Sequence, residues 1–308
     1  MQKVLAILLS LLLLLPFSAL GEQTHTVVTS FYPIYIIARN LTQGIDAIQV
    51  QNLAAPDTGC LHDYQLLTGD MRTLQGARVL LINGAGMESY LDTVFNQFPS
   101  LPIVDASQGI ELLDAQGEPA EHHLEEAAEG HNHEHEENAH IWLNARNAMV
   151  MVENLQKGLS AVFPEYQNLI AENAQNYLAR LSALDAELTS GLQHLPHKDI
   201  ITFHEAFPYF ANAYGLHVAA VVTHEPGEAL SPAELAALVT TVKNLGNPPL
   251  FTEPQYPDLA AKTLAAETGA CLYSLDPLVT GPMEDGVLTA YEDGMRKNMQ
   301  VLITALSK

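Results

Sequence analysis

The feature that most constrains this chain is a stretch without strand character, residues 147–195, set between two blocks where β-branched runs alternate with helical spacing. Pro164 divides the stretch and can sit in the first turn of a helix without breaking it. Beyond it Leu169, Asn173, Tyr177, Leu181, Leu184, Leu188 and Leu192 recur at steps of three and four. That spacing predicts one long helix of roughly 30 residues and ~45 Å. The stripe is too brief and interrupted for a coiled coil, so it reads as a rigid helix running between two lobes.

In the first block HTVVTSFY, IQVQNL, ARVLLING and LPIVDAS read as strands, with a helix over IYIIARNLT. In the second, DIITF, LHVAAVV, PLFTE and CLYSL read as strands, separated by helices over EAFPYFANAY, a segment opening at Ser231 and residues 259–268. Ser231-Pro232-Ala233-Glu234 is a capping box with proline at the first helical position, and Gly215 is placed to close the preceding helix. Strictly alternating strands and helices imply parallel sheets. The expectation is therefore an α/β protein of two parallel-sheet α/β lobes joined by the long helix, with no internal sequence repeat.

The opening MQKVLAILLSLLLLLPFSALGEQ has one lysine, a Leu-rich run, Pro16 and small residues, the three regions of a secretory signal cleaved after Gly21. The apolar run is short of the ~20 residues that a membrane span needs. No cysteine follows it, so no lipid-attachment site of the lipoprotein type is expected, and the reading is a soluble, exported, periplasmic protein. The domain reading is 1–21 signal, 22–163 first lobe, 164–194 linking helix and 195–308 second lobe. A formal net charge of −23 argues against nucleic acid and anionic lipid as partners.

Part of that acidity is local. EHHLEEAAEGHNHEHEENAH holds His122, His123, His131, His133 and His135 among seven glutamates, without lysine or arginine. Neutral imidazole with carboxylate suits a borderline divalent cation, so zinc is the first ligand to consider. The run at 121–137 lacks the apolar residues needed to fold, and is expected to be a mobile loop binding further zinc weakly. His62, His204 and Asp276 each follow a strand, and strand carboxyl ends form the binding edge of an open parallel sheet. Any one of the 13 histidines could equally be packed or solvated, so spacing alone does not select among them. Glu205 beside His204 suggests the HExxH of zinc peptidases, but Pro208 occupies the second histidine position. Glu253, after PLFTE, is a further strand-end carboxylate with a weaker claim.

Several motifs, in order, do select among the histidines. VVTSFYPIYIIARNLT, GCLHDYQLLTGDMRTLQGARVLLINGAGMESYL, HIWLNARNA, ITFHEAFPYFANAYGL and YSLDPL resemble the metal-specific solute-binding proteins of bacterial ABC importers, most closely the zinc-binding branch. The resemblance covers almost everything after the signal. It implies two α/β lobes joined by a long rigid helix, a metal site in the cleft between them, and a His-rich acidic loop before the second ligand. Position by position it implies His62 and His140 from the first lobe, with His204 and Asp276 from the second. Leu61 and Gln65 depart from the pattern around His62, and Asn144 and Ala145 depart from the acidic residue and proline after Trp142. Asp276 is implied either as a direct ligand or as a partner of one. A histidine rather than a carboxylate at 204 moves the balance from manganese towards zinc.

The implied function is Zn²⁺ capture and delivery to an inner-membrane permease with a cytoplasmic ATPase, by a monomer that is not an enzyme. The alternatives are manganese or iron transport, and a zinc buffer or chaperone without a transporter; a metallohydrolase is a more distant third. Cys60 lies near His62, whereas Cys271 opens a strand ending near Asp276. Five strand residues span roughly 16 Å, which favours separate thiols over a bridge.

Overall fold

A computed structural model describes residues 24–55, 58, 61, 64–120, 137–222 and 231–308. The expected signal 1–21, His62, Cys60 and the five histidines of the His/Glu run lie outside these residues.

The first lobe contains β1 (His25–Thr29), α1 (Tyr32–Leu41), β2 (Ile48–Asn52), α2 (Thr68–Gln75), β3 (Ala77–Ile82), α3 (Leu91–Gln97) and β4 (Ile103–Asp105). Its sheet is parallel throughout, in the order β2-β1-β3-β4. After α4 (Ala145–Val162) and the long α5 (Gln167–Leu192), the second lobe contains β5 (Asp199–Thr202), α6 (Pro208–Tyr214), β6 (His217–Val221) and α7 (Pro232–Asn244). It continues with β7 (Leu250–Thr252), α8 (Leu259–Thr268), β8 (Leu272–Ser274) and α9 (Ala290–Leu306). This sheet is also parallel, in the order β6-β5-β7-β8. The two lobes thus repeat one topology, although no sequence repeat announces it.

The linking helix runs from Pro164 to Leu192, close to the length its leucine stripe predicts, but its first turn is not α-helical. Pro164–Tyr166 forms a 3₁₀ turn, and the α-helix begins only at Gln167, giving 26 residues. Its buried face is Ile170, Ala174, Tyr177, Leu181, Leu184, Leu188 and Leu192. Leu169 is exposed, and Asn173 instead donates from Nδ2 to the Leu41 and Gln43 carbonyls, closing the end of α1. The first turn of the stripe is therefore a cap rather than core. α5 packs against α1, α4, α6 and α9, elements of both lobes. Deleting a fully buried leucine here, such as Leu184, costs about 2–5 kcal/mol.

The capping box at Ser231 is present: Glu234 N donates to Ser231 Oγ at 3.3 Å, and Ser231 N donates to Glu234 Oε2 at 2.7 Å. Gly215 ends α6 in the left-handed region, at φ 68°. Cys271 is an exposed free thiol beside β8. Among the described residues, no helix is long and apolar enough to cross a membrane.

The lobes are tied on one flank through residues 277–291. Tyr32 Oη and Tyr35 Oη donate to the Pro282 and Met283 carbonyls at 2.9 and 2.7 Å. Trp142 Nε1 donates to the Pro277 carbonyl at 2.7 Å, and Tyr291 Oη donates to the Trp142 carbonyl at 2.7 Å. A side chain at Gly281 would collide with the Tyr32 ring, so glycine is required for this approach. One hydrophobic core runs continuously through both lobes, from Val27 to Leu306. A smaller one around Ile201, Val242, Leu250 and Leu264 fills the far side of the second sheet.

Candidate metal centre

Strand register places the second-lobe groups. In the β5–β7 pair Thr202 lies opposite Phe251, so two residues further on His204 and Glu253 are level with each other past the carboxyl ends. His204 Nδ1 lies 3.1 Å from Glu253 Oε1 and 3.3 Å from Oε2, with both side chains shut off from solvent. A carboxylate only accepts, so Nδ1 carries a proton, and in the neutral imidazole Nε2 carries the lone pair. A carboxylate behind an imidazole is the arrangement that orients histidines towards metals.

His140 is not at a strand end. It belongs to a segment, 138–140, pinned against the first sheet by two bonds: Asn138 N donates to the Leu113 carbonyl at 2.7 Å, and Asn83 Nδ2 donates to the Ala139 carbonyl at 3.0 Å. Asn83 directly follows β3. Beyond His140 a 3₁₀ turn, Ile141–Leu143, leads to Asn144, whose Oδ1 accepts from Arg146 N at 2.9 Å and caps α4. Asn144 thus does the work of an acidic residue at this position, since either side chain can cap a helix.

The His140 and His204 rings meet edge to face, with centroids 4.8 Å apart and planes at 80°. His140 is fully buried and His204 nearly so. Trp142 lies against His140 at 5.2 Å between centroids, and Tyr256 against His204 at 6.2 Å. The fold therefore brings together one imidazole from each lobe in a dry, aromatic-walled position. Water exclusion and paired imidazoles suit a borderline cation better than a hard one.

Asp276 sits just past β8, in a different role from that of Glu253. Its Oδ1 accepts from Leu278 N at 2.9 Å and from Gln255 Nε2 at 2.9 Å, and its main chain is gripped by both amide atoms of Asn298. Among the described residues, no group of three or more His, Cys, Asp or Glu side chains is placed to hold a metal ion. What the described residues bring together is the His140–His204 pair.

Beneath the first-lobe loops, Glu88 is fully buried, and its carboxylate accepts from Asn83 N at 2.8 Å and Gly84 N at 3.1 Å. Burial raises its pKa to about 7, and the two backbone N–H groups pull the other way without cancelling it. The loop it anchors has positive φ at Gly84, Ala85 and Gly86. At Gly84 a side chain would also run into Asp105 and Ser107. Burial likewise raises the pKa values of Tyr64 and Tyr90 nearby.

Sequence reasoning missed Asn83 and Asn138 as supports and rated Glu253 low as a ligand. Only Glu253 left a signal, being the residue after β7, the neighbour of β5.

The family model for zinc-uptake complex component A, periplasmic (ZnuA) matches residues 27–305. The zinc-binding protein AdcA of Streptococcus pyogenes serotype M3 is 29% identical over 92% of this chain and 56% of its own length. The high-affinity zinc uptake system protein ZnuA of Brucella abortus is 28% identical over 85% of this chain and 86% of its own. The crystal structure of Zn(II)-bound AdcA from Streptococcus pneumoniae superposes with a TM-score of 0.77 at 26% identity, covering 92% of this chain and 58% of that one. The chain thus spans little more than half the length of the AdcA relatives it matches. Two matching parallel sheets, a long helix between them, a cross-lobe histidine pair and a family match over nearly the whole chain lead to one assignment: this chain belongs to the ZnuA family of zinc-branch solute-binding proteins of ABC importers, which are not enzymes.

Proposed function

We propose that this protein captures Zn²⁺ in the periplasm, in the cleft between its lobes, and hands it to an inner-membrane permease driven by a cytoplasmic ATPase. The observation that carries the reading is the edge-to-face meeting of His140 and His204 across the lobes, each with its Nδ1 side held by a neighbouring oxygen. His62 is the third imidazole and Asp276 an auxiliary carboxylate, direct or supporting. Nitrogen donors in a closed site favour zinc over manganese. Because the ligands come from both lobes, a partner that separates the lobes removes ligands and weakens the site.

In this reading residues 1–21 direct export, and 22–163 and 195–308 are the lobes on either side of helix 164–194. The run at 121–137, with His122, His123, His131, His133 and His135, gathers further zinc at low affinity.

Calorimetric zinc titration of single alanine variants tests the reading. His62→Ala, His140→Ala and His204→Ala each lower the affinity of the tight site at least tenfold, equivalent to about 1.4 kcal/mol. Unchanged tight binding in any one removes that residue from the site.

A further inference from the structure

The contacts of Asn138 are fixed in direction by their chemistry. The side chain is almost fully buried, and its Oδ1 accepts from His140 N at 2.9 Å and lies 3.0 Å from His140 Nδ1. Its Nδ2 donates to the Glu205 carbonyl at 2.7 Å. A carbonyl accepts only, so the nitrogen of the amide must face Glu205 and the oxygen must face His140. That oxygen can only accept, so His140 Nδ1 carries the proton and Nε2 the lone pair.

The same amide crosses between the lobes. Glu205 is the residue after His204, and Tyr209 of α6 extends the junction: its Oη donates to the Asn138 carbonyl at 2.8 Å and accepts from Leu113 N at 2.9 Å. The group that orients one candidate ligand is therefore bonded to the backbone beside the other.

We propose that Asn138 is a positioning residue that couples closure of the two lobes to the metal-binding orientation of His140. The proposal rests on the zinc-capture reading above. With the lobes together, one amide locks the His140 ring with Nε2 presented. When they part, the bond to Glu205 breaks, the amide gains freedom to turn, and His140 loses its fixed tautomer as the site comes apart. Release then follows from lobe separation without protonation of the imidazole.

Two variants and the native protein test this. Asn138→Ala removes both halves of the link, whereas Asn138→Asp keeps an acceptor for His140 and replaces the donor to Glu205 with an oxygen that repels its carbonyl. In zinc-free native protein, ¹⁵N NMR of the His140 ring should show the Nδ1–H tautomer alone. Asn138→Asp should keep that tautomer and release zinc to a chelator at least tenfold faster. Asn138→Ala should show mixed tautomers and bind zinc at least tenfold more weakly, the range seen for supporting partners of metal ligands. An Nε2–H tautomer in the native protein overturns the proposal, needing no variant to fold. So does a mixed tautomer in Asn138→Asp, whose two oxygens both accept. Unchanged zinc binding in His140→Ala would instead overturn the zinc-site reading, while the tautomer, measured without metal, decides the orienting role on its own.

Discussion

Glu253 holds the Nδ1 edge of His204 at 3.1 Å, the two side chains buried together where β5 and β7 end side by side. The carboxylate would contribute charge as well as direction: it keeps the ring from turning, and in the proposed site it would stabilise a cation at the far nitrogen through the ring. Glu253→Gln retains one acceptor but loses the charge, and is expected to weaken zinc binding about tenfold. Glu253→Ala removes both, with an expected loss of ~10–100-fold. Calorimetry on the two variants checks the order, and equal losses would show that the retained acceptor adds nothing beyond the charge.

Glu88 makes the zinc-free protein sensitive to pH. Its folded pKa is raised, from 4.5 to about 7, so the fold favours the protonated carboxyl. The folded state therefore holds more protons than the unfolded state between those values. The stabilisation from Glu88 is complete below the unfolded value and is lost as pH rises through about 7, by roughly 3 kcal/mol over the interval. A ¹³C titration of the Glu88 carboxyl should give a midpoint near 7, and a midpoint below 5 contradicts this. Glu88→Ala, which leaves the Asn83 and Gly84 N–H groups unsatisfied, should destabilise by about 2–4 kcal/mol below pH ~5, and by less above pH ~7, where the native protein has itself lost the Glu88 contribution.

Much of this architecture was legible because strands and helices differ in period. Each predicted strand is present, and the stripe from Tyr177 to Leu192 is the buried face of α5. Its first positions misled because Leu169 and Asn173 keep the helical spacing while facing solvent and the α1 terminus, a difference that only the neighbouring helix decides. His204 could be placed from its strand. His140 could not, since its position depends on Asn83 and Leu113, respectively 57 and 27 residues away, meeting one short segment. Asn138 was invisible for the same reason: an asparagine two residues before a histidine gains meaning only when Glu205 of the other lobe closes over it.

Zinc should also stabilise the fold, because in the proposed site it would tie one lobe to the other. The thermal midpoint rises with free metal, by an amount equivalent to ~2.7 kcal/mol at a hundredfold excess over the dissociation constant. A variant with His62, His140 and His204 all replaced by alanine should show almost none of this rise. An equal rise in that variant would locate the stabilising site elsewhere, most directly in the run at 121–137.

The central claim is that one zinc ion bridges the lobes through His140 and His204. A crystal structure of the zinc-loaded protein, with anomalous data collected on both sides of the zinc edge, tests it most directly. The account predicts one strong zinc peak bonded to Nε2 of His140 and Nε2 of His204, at about 2.0–2.1 Å from each, with Asn138 and Glu253 still on the Nδ1 atoms. A zinc peak bonded to neither ring, or to Nδ1 of either, would contradict it.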